Sequence, residues 1–437
     1  MRRTIKKITT TILCSVALVA TSIGQEQSQD IMIFSLDSAV NYSIEHNKQL
    51  VNSKYAIEKS GMQVKEAISA GLPQIQASLD YQNFLGATAT LQFGPMPATI
   101  KFTPTSNFQA SVSQLLFNGN YFVGIQLSKL AKEITEQVYE KDELNVKEQT
   151  IRAYYMVLVS EQVLKTMQSN RENIEDIYKK TSNMANIGVI EQIEAKKLSV
   201  MITTVDNAIK STERQTELAY NLLRLQLGLG SDQKIKLEDT LEGLVDRFIN
   251  NNESKQEFNL SANLDYKLVE LQTEIAQKNV NMQRANFLPT LAAFYSYTEK
   301  IKKPEFDISP KNILGVTLKV PIFSGGQRYM KLSQAKVDLY SAENTLTLLQ
   351  DQLTIQERQL NYTYQNLLEQ YEYQKTNVEI AKEVLENVTL KHEQGMISSL
   401  ELTNANSEYL KAETSYTGVL LELLNAELAL RKLNSNL

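Results

Sequence analysis

Leu314-Gly315-Val316-Thr317-Leu318-Lys319-Val320-Pro321-Ile322-Phe323-Ser324-Gly325-Gly326 holds two kinds of structure and the boundary between them. Leu314, Val316, Leu318, Val320 and Ile322 alternate with Gly315, Thr317, Lys319 and Pro321. That period of two belongs to a strand with one apolar and one wet face. The glycine pair closes the strand, and from 326 to 394 no proline and no further glycine interrupts the chain. At 1.5 Å per residue such a helix is roughly 100 Å long. Within it Leu346, Leu349, Leu353, Leu360 and Leu367 recur at intervals of 3, 4, 7 and 7, the narrow seam of a helix packed in a coiled coil. A strand feeding straight into a helix of that length suits a wall or a tunnel, not a globular core.

The same plan occurs earlier in the chain. Leu116-Phe117-Asn118-Gly119 precedes Ile322-Phe323-Ser324-Gly325 by 206 residues. Leu72-Pro73-Gln74-Ile75 precedes Leu288-Pro289-Thr290-Leu291 by 216, and Gly188, followed by Ile193-Glu194, precedes Gly395, followed by Leu400-Glu401, by 207. Three landmarks in one order at nearly constant spacing make a duplication. Each copy runs helix, two strands, long helix, glycine break, helix. The uninterrupted helix of the first copy covers 120–187 apart from Gly124. The shorter helices flanking each long one (42–71 and 190–228; 262–287 and 397–433) together match it in length. The first repeat is expected over 25–228, a polar, irregular linker over 229–261, and the second repeat over 262–437.

Strands are expected over about 73–93, 106–117, 289–301 and 311–323. Ile75 to Gln82 alternates apolar and polar without a fault, Phe108 to Ser113 does the same, and Leu291 to Tyr297 alternates less cleanly. Two-faced strands of this kind fit a transmembrane barrel, with Val316 and Leu318 toward lipid and Thr317 and Lys319 toward the lumen. Tyr81, Phe84, Phe102, Phe108, Tyr295 and Tyr297 supply aromatics for its interfacial girdles. A soluble antiparallel sheet alternates identically, but only two hairpins interrupt a chain that is otherwise helix. Four strands cannot close, and an open edge in lipid leaves backbone groups unpaired. Two chains give eight strands, too narrow for more than a small ligand, so strand counting favours three or more.

The N-terminus reads as a secretory signal over 1–24. Arg2, Arg3, Lys6 and Lys7 precede an apolar stretch far short of a membrane span, and Ser22-Ile23-Gly24 offers small residues for cleavage before Gln25. Cys14, the only cysteine, leaves with it, and Leu13 before it disfavours lipidation. Removing four basic residues takes the formal net charge from −5 to −9, which argues against nucleic acid as a partner. No Gly-rich phosphate loop, metal-ligand cluster or nucleophile motif stands out, and His46 and His392 lie far apart. No enzyme activity, cofactor or metal is expected.

Over essentially the whole mature length the chain resembles the TolC family of outer-membrane efflux proteins. The resemblance rests on the Leu-Pro turns at 72–73 and 288–289, the strand ends at 116–119 and 320–326, the glycines 188 and 395, and Leu36-Asp37-Ser38-Ala39-Val40 through Asn47. It implies a mixed α and β fold: a trimeric twelve-stranded barrel, four strands from each protomer, continued by a helical coiled-coil barrel in the periplasm. The linker would join an equatorial belt with the C-terminus. Partners implied are a periplasmic adaptor and an inner-membrane transporter of the RND, ABC or MFS class, in an efflux or type I secretion system. In the family the turns beyond the two glycines close the tunnel, and acids six and nine residues after the second glycine narrow it. Here those positions are Glu401 and Asn404, which leaves one acidic ring where the family has two. Glu194 corresponds to a member of an inter-helix latch whose other positions fall at His392 and Ile397. Ile397 carries no charge, so a latch of that chemistry is partial. Three copies of Glu194 and of Glu401 gathered at the tunnel end would raise one another's pKa. The blander readings are a solvated helix face for both glutamates and an exposed tip residue for His392. A periplasmic coiled-coil scaffold or adaptor is the rival function, and it leaves the alternating hairpins without a purpose.

Overall fold

The computed structural model describes residues 31–93, 96–250, 258–304, 307 and 309–437. The expected signal segment, with Cys14 and the cleavage point before Gln25, lies outside the described residues, as does 251–257 of the linker. In chain order the elements are β1 Met32–Phe34, α1 Leu36–His46, α2 Lys48–Ser69, β2 Gln74–Gln82, β3 Thr88–Phe93, β4 Met96–Lys101, β5 Thr105–Phe117, α3 Gly119–Asn186 and α4 Gln192–Gln226. There follow β6 Ile235–Leu237, α5 Leu241–Asn250, α6 Leu264–Ala285, β7 Thr290–Lys302, β8 Asn312–Lys319, α7 Gln327–Glu393 and α8 Ser399–Leu433. The long helices α3 and α7 hold 68 and 67 residues. Among the described residues no helix is long and apolar enough to cross a membrane.

The chain divides into two compact units. The first comprises Met1–Ser43, Thr150–Asn250 and Glu383–Thr414, and holds the glycine turns. Its core joins Ile174 and Ile177 of α3, Leu198, Met201, Val205 and Ile209 of α4, and Leu402 of α8. Elsewhere in this unit β1 pairs in parallel with β6. The Asp239 carboxylate accepts the Leu36 amide at 2.7 Å, capping α1 from two hundred residues away. The same oxygen receives the buried Tyr154 hydroxyl at 2.8 Å. Burial and then the Asp239 charge raise the phenol's pKa far above its ordinary value. The linker is therefore not irregular throughout: it holds β6 and α5, whose Leu241, Leu244 and Val245 are buried.

The second unit comprises Ile44–Gln149, Asn251–Lys382 and Ser415–Leu437, and holds the sheet. Its four strands lie in the order β2-β5-β7-β8, all antiparallel, so the two copies meet at the β5–β7 pair. The leucine seam of α7 is directional: Leu353 and Leu367 are buried and Leu346, Leu349 and Leu360 half-buried, between mostly exposed neighbours. Two strand boundaries differ from expectation. Residues 73–93 are not one strand, because Leu85 and Gly86 take φ values of 51° and 80° and the Asn83 carboxamide accepts the Leu85 amide at 3.0 Å. That turn starts a separate hairpin of β3 and β4. The last strand ends at Lys319, not 323, two residues ahead of Pro321, which has no N–H to donate to a ladder.

Candidate functional site

Registers carry the two-faced pattern from β2 to β8, with Phe294, Ile313 and Leu115 as apolar exceptions on the polar side and Gln114 and Glu299 as polar exceptions on the other. Ile75, Ala77 and Leu79 on β2 stand opposite Val112, Ala110 and Phe108 on β5. Val112 and Ala110 in turn stand opposite Tyr295 and Tyr297 on β7. Tyr295, Ala293 and Leu291 stand opposite Leu314, Val316 and Leu318 on β8. Directly opposed residues in a ladder point to the same side, so these side chains form one apolar face. The other face carries Gln76, Ser78, Ser111, Gln109, Ser296 and Thr317, with the Gln109 carboxamide donating to the Ser296 hydroxyl at 2.9 Å. Thr317 and Lys319 belong to this polar face; Val316 and Leu318 belong to the apolar one. Gly315 lies under the Phe294 ring, which an added Cβ would approach to 2.6 Å.

Among the described residues the apolar face is open on the edge strands, while Ser296 on the polar face of the central strand is buried. Ile75 is 78 % exposed, Leu79 67 % and Leu314 81 %, and all nine residues of β2 are exposed. Strands β2 and β8 are open edges.

In the first unit the two glycines end α3 and α7 in the same way. Gly188 has φ 79° and Gly395 φ 69°. The amide after each bonds five residues back, Val189 to Met184 at 2.9 Å and Met396 to Lys391 at 3.0 Å. Each glycine's own amide bonds three residues back, at 3.1 and 2.9 Å. These are Schellman caps, which need a residue at home in the left-handed region.

Glu194 and Glu401 hold equivalent places in the first turns of α4 and α8 and meet different surroundings. Glu194 Oε1 receives Lys197 Nζ at 2.7 Å, and Oε2 receives the Ser399 amide at 2.8 Å. One carboxylate thus lies in the first turn of its own helix and accepts an amide at the start of another, where both helix dipoles favour negative charge. Lys197 foremost, with the Ser399 amide, holds its pKa down to about 2 against the opposing effect of burial. Within one chain the Glu194 carboxylate is thus engaged by Lys197 and the Ser399 amide. Glu401 is exposed, and so is Asn404 one turn later. The Glu401 amide lies 3.4 Å from the Ser398 hydroxyl, half of a capping box in the Ser-x-x-Glu spacing.

His392 corrects the expectation of an exposed tip residue. It is buried, and its Nε2 lies 3.0 Å from the hydroxyl of the fully buried Ser399. Burial lowers its pKa, opposed by the charges of Glu194 and Glu393. Ile397 is half-buried. Lys180 adds a cross-helix ion pair to Glu393 at 2.7 Å. Glu194, His392 and Ser399 are thus brought together, while Glu401 and Asn404 stand apart. Ser399 and Lys197 carry no family landmark and were missed; the Ser398-Ser399 pair three and four residues after a helix-ending glycine was the available signal of a helix start.

The outer membrane efflux protein family model matches residues 39–229 and 259–435. The chain is 22 % identical over 324 residues to outer membrane protein TolC of Salmonella enteritidis, covering 69 % of this chain and 61 % of that protein. It therefore spans somewhat less than two thirds of that relative's length. The Campylobacter jejuni CmeC outer membrane channel superposes with a TM-score of 0.69 at 16 % identity, covering 92 % of this chain and 85 % of the other. For the outer membrane protein VceC of Vibrio cholerae the TM-score is 0.70 at 14 % identity, covering 92 % and 96 %. With its two matched segments lying in the two repeats, this chain belongs to the outer membrane efflux protein family and is an outer-membrane protein with the fold of that family's channels.

Proposed function

We propose that the chain is a passive export duct: a homotrimer whose twelve strands close a barrel in the outer membrane and whose helices continue it into the periplasm. One observation carries this reading. Among the described residues the sheet has one largely apolar face, exposed on its edge strands, one largely polar face, and two open edges. In water an apolar face of this size is a liability, and in lipid an open edge is another. Closing the sheet with further copies, apolar side outward, resolves both and leaves Thr317 and Lys319 on a wet lumen. No enzymatic step is assigned to it. A periplasmic adaptor and an inner-membrane transporter of the RND, ABC or MFS class would complete an efflux or type I secretion assembly. An apolar groove between α4 and α8, lined by Val200, Met201, Leu400 and Leu410, is a surface on which such an adaptor could seat.

The test is fractionation followed by cysteine scanning from 316 to 319 in the thiol-free mature chain. Detergent-resistant trimers should sit in the outer-membrane fraction, with a membrane-impermeant thiol reagent reaching positions 317 and 319 and sparing 316 and 318. The reverse labelling pattern would turn the sheet inside out, and a monomer in the soluble periplasmic fraction would remove the channel reading altogether.

A further inference from the structure

Next to the sheet, the first turns of α3 and the last turns of α6 enclose a groove of about 420 Å³. Phe117, Phe122, Val123 and Leu288 line it, with Arg284 and Asn281 at its polar side. Phe117 pairs with Leu291 and so stands on the apolar face of the sheet. The groove is therefore continuous with the surface that the proposed function puts in lipid. The rings of Phe117 and Phe122 are 6.2 Å apart, and Phe122 is 49 % exposed.

Charge near the groove is one-sided. Three helical segments adjoin the sheet in sequence: 119–132 after β5, 275–287 before β7, and 327–337 after β8. Together they contain seven Lys or Arg and no Asp or Glu, in a chain whose net charge is −5. Lys132 and Lys278 are paired with Glu136 and Glu274 of their own helices. Arg284 makes no ion pair among the described residues; its guanidinium lies 3.4 Å from the Asn281 carboxamide oxygen. Even with Glu136 and Glu274 counted against Lys132 and Lys278, basic side chains outnumber acids beside the sheet, and that excess presents the zone to an anionic surface.

We propose that this groove binds an anionic glycerophospholipid. An acyl chain lies between Phe117, Phe122, Val123 and Leu288, and the phosphate is held by the Arg284 guanidinium, which suits phosphate by its planar fork of donors. The proposal rests on the reading of the sheet as membrane-inserted. A neighbouring copy of the chain would bury the aromatic part of the groove equally well, and the test below separates the two occupants.

The chain contains no tryptophan, so one introduced indole reports a single place. The mature protein carrying Phe122→Trp reports the groove, and a separate protein carrying Leu318→Trp reports the apolar sheet face. Each is reconstituted in bilayers containing brominated phosphatidylglycerol or brominated phosphatidylcholine, and quenching is compared at low salt. Leu318→Trp should be quenched equally by both. Phe122→Trp should favour the anionic lipid by about fivefold in relative affinity, the share of one basic side chain at a membrane surface. Arg284→Gln added to Phe122→Trp should bring that ratio near one, while Arg284→Lys keeps most of it. Equal quenching of Phe122→Trp by both lipids with Arg284 present would overturn the headgroup contact. No quenching at Phe122→Trp beside normal quenching at Leu318→Trp would mean that another copy fills the groove, which overturns the lipid site and leaves the channel reading standing. Absence of quenching at Leu318→Trp would instead overturn the membrane reading itself.

Discussion

Glu194 and Glu401 are the same residue at the same helix position in two copies of one plan, yet the first caps a distant helix and the second faces solvent. Replacing Glu194 by Gln keeps an acceptor and removes the charge between two helix starts. The expected loss is ~1 kcal/mol of local stability. It should appear as roughly fivefold faster hydrogen exchange at the Ser399 amide; unchanged exchange would mean that the carboxylate does not cap α8. The pH dependence has a definite sign. Glu194 has a folded pKa near 2 against an ordinary 4.5, so its contribution is whole above 4.5 and fades as pH falls toward 2. His392 is held neutral by burial, below its ordinary 6.5, so acidification below 6.5 favours any state in which the ring is freed to take a proton. Amide protection around Ser399 should therefore drop between pH 7.5 and pH 5, and His392→Phe should abolish that drop. Persistence of the drop in the variant would assign it to other groups. The sequence offered Glu194 as a latch position through its family resemblance. It did not reveal Ser399 or the burial of His392, because both depend on how the turns after Gly188 and Gly395 come together.

Among elements, the long helices were the most legible part of the chain. Their ends fall within a residue or two of expectation, since a glycine at a helix end and an unbroken run before it are local signals. The five leucines of the α7 seam were also readable, because a coiled-coil face is a matter of spacing. The glycines behave according to conformation. Gly395→Ala forces a side chain into φ 69° and should cost about 1–2 kcal/mol of local stability. Gly124→Ala lies inside α3, where an added Cβ meets nothing within 4 Å, and should stabilise by up to ~1 kcal/mol. Thermal melting of the purified protein checks both, and a matching sign for the two variants would contradict the assignment of Gly395 to a left-handed cap. Strand ends were read less well. The turn at Asn83 to Gly86 hides inside an apolar run, and the alternation through Val320 and Ile322 continues beyond the last ladder bond at Lys319.

For the whole molecule, the proposed trimer decides what Glu401 does. Three copies of an exposed glutamate at a turn that follows Gly395 would form a polar ring at the end of the duct and favour cations over anions. Single-channel recording of the reconstituted trimer should show reduced cation preference in Glu401→Ala and an unchanged trimer. If selectivity and conductance stay as in the wild type, Glu401 is a solvated residue of the first turn of α8 and does not line the duct.

The sequence by itself determined the duplication, the length of the helices, the alternation of the strands and the glycine breaks. All of these follow from local periodicity and from the backbone freedom of single residues. Tertiary structure alone decided that β5 of one copy pairs with β7 of the other, which joins four separately readable strands into one two-faced sheet. It alone decided that Asp239 caps α1 and Glu194 caps α8. A carboxylate chooses its amide by distance in space, and 203 or 205 residues of intervening chain leave no trace of that distance in the sequence.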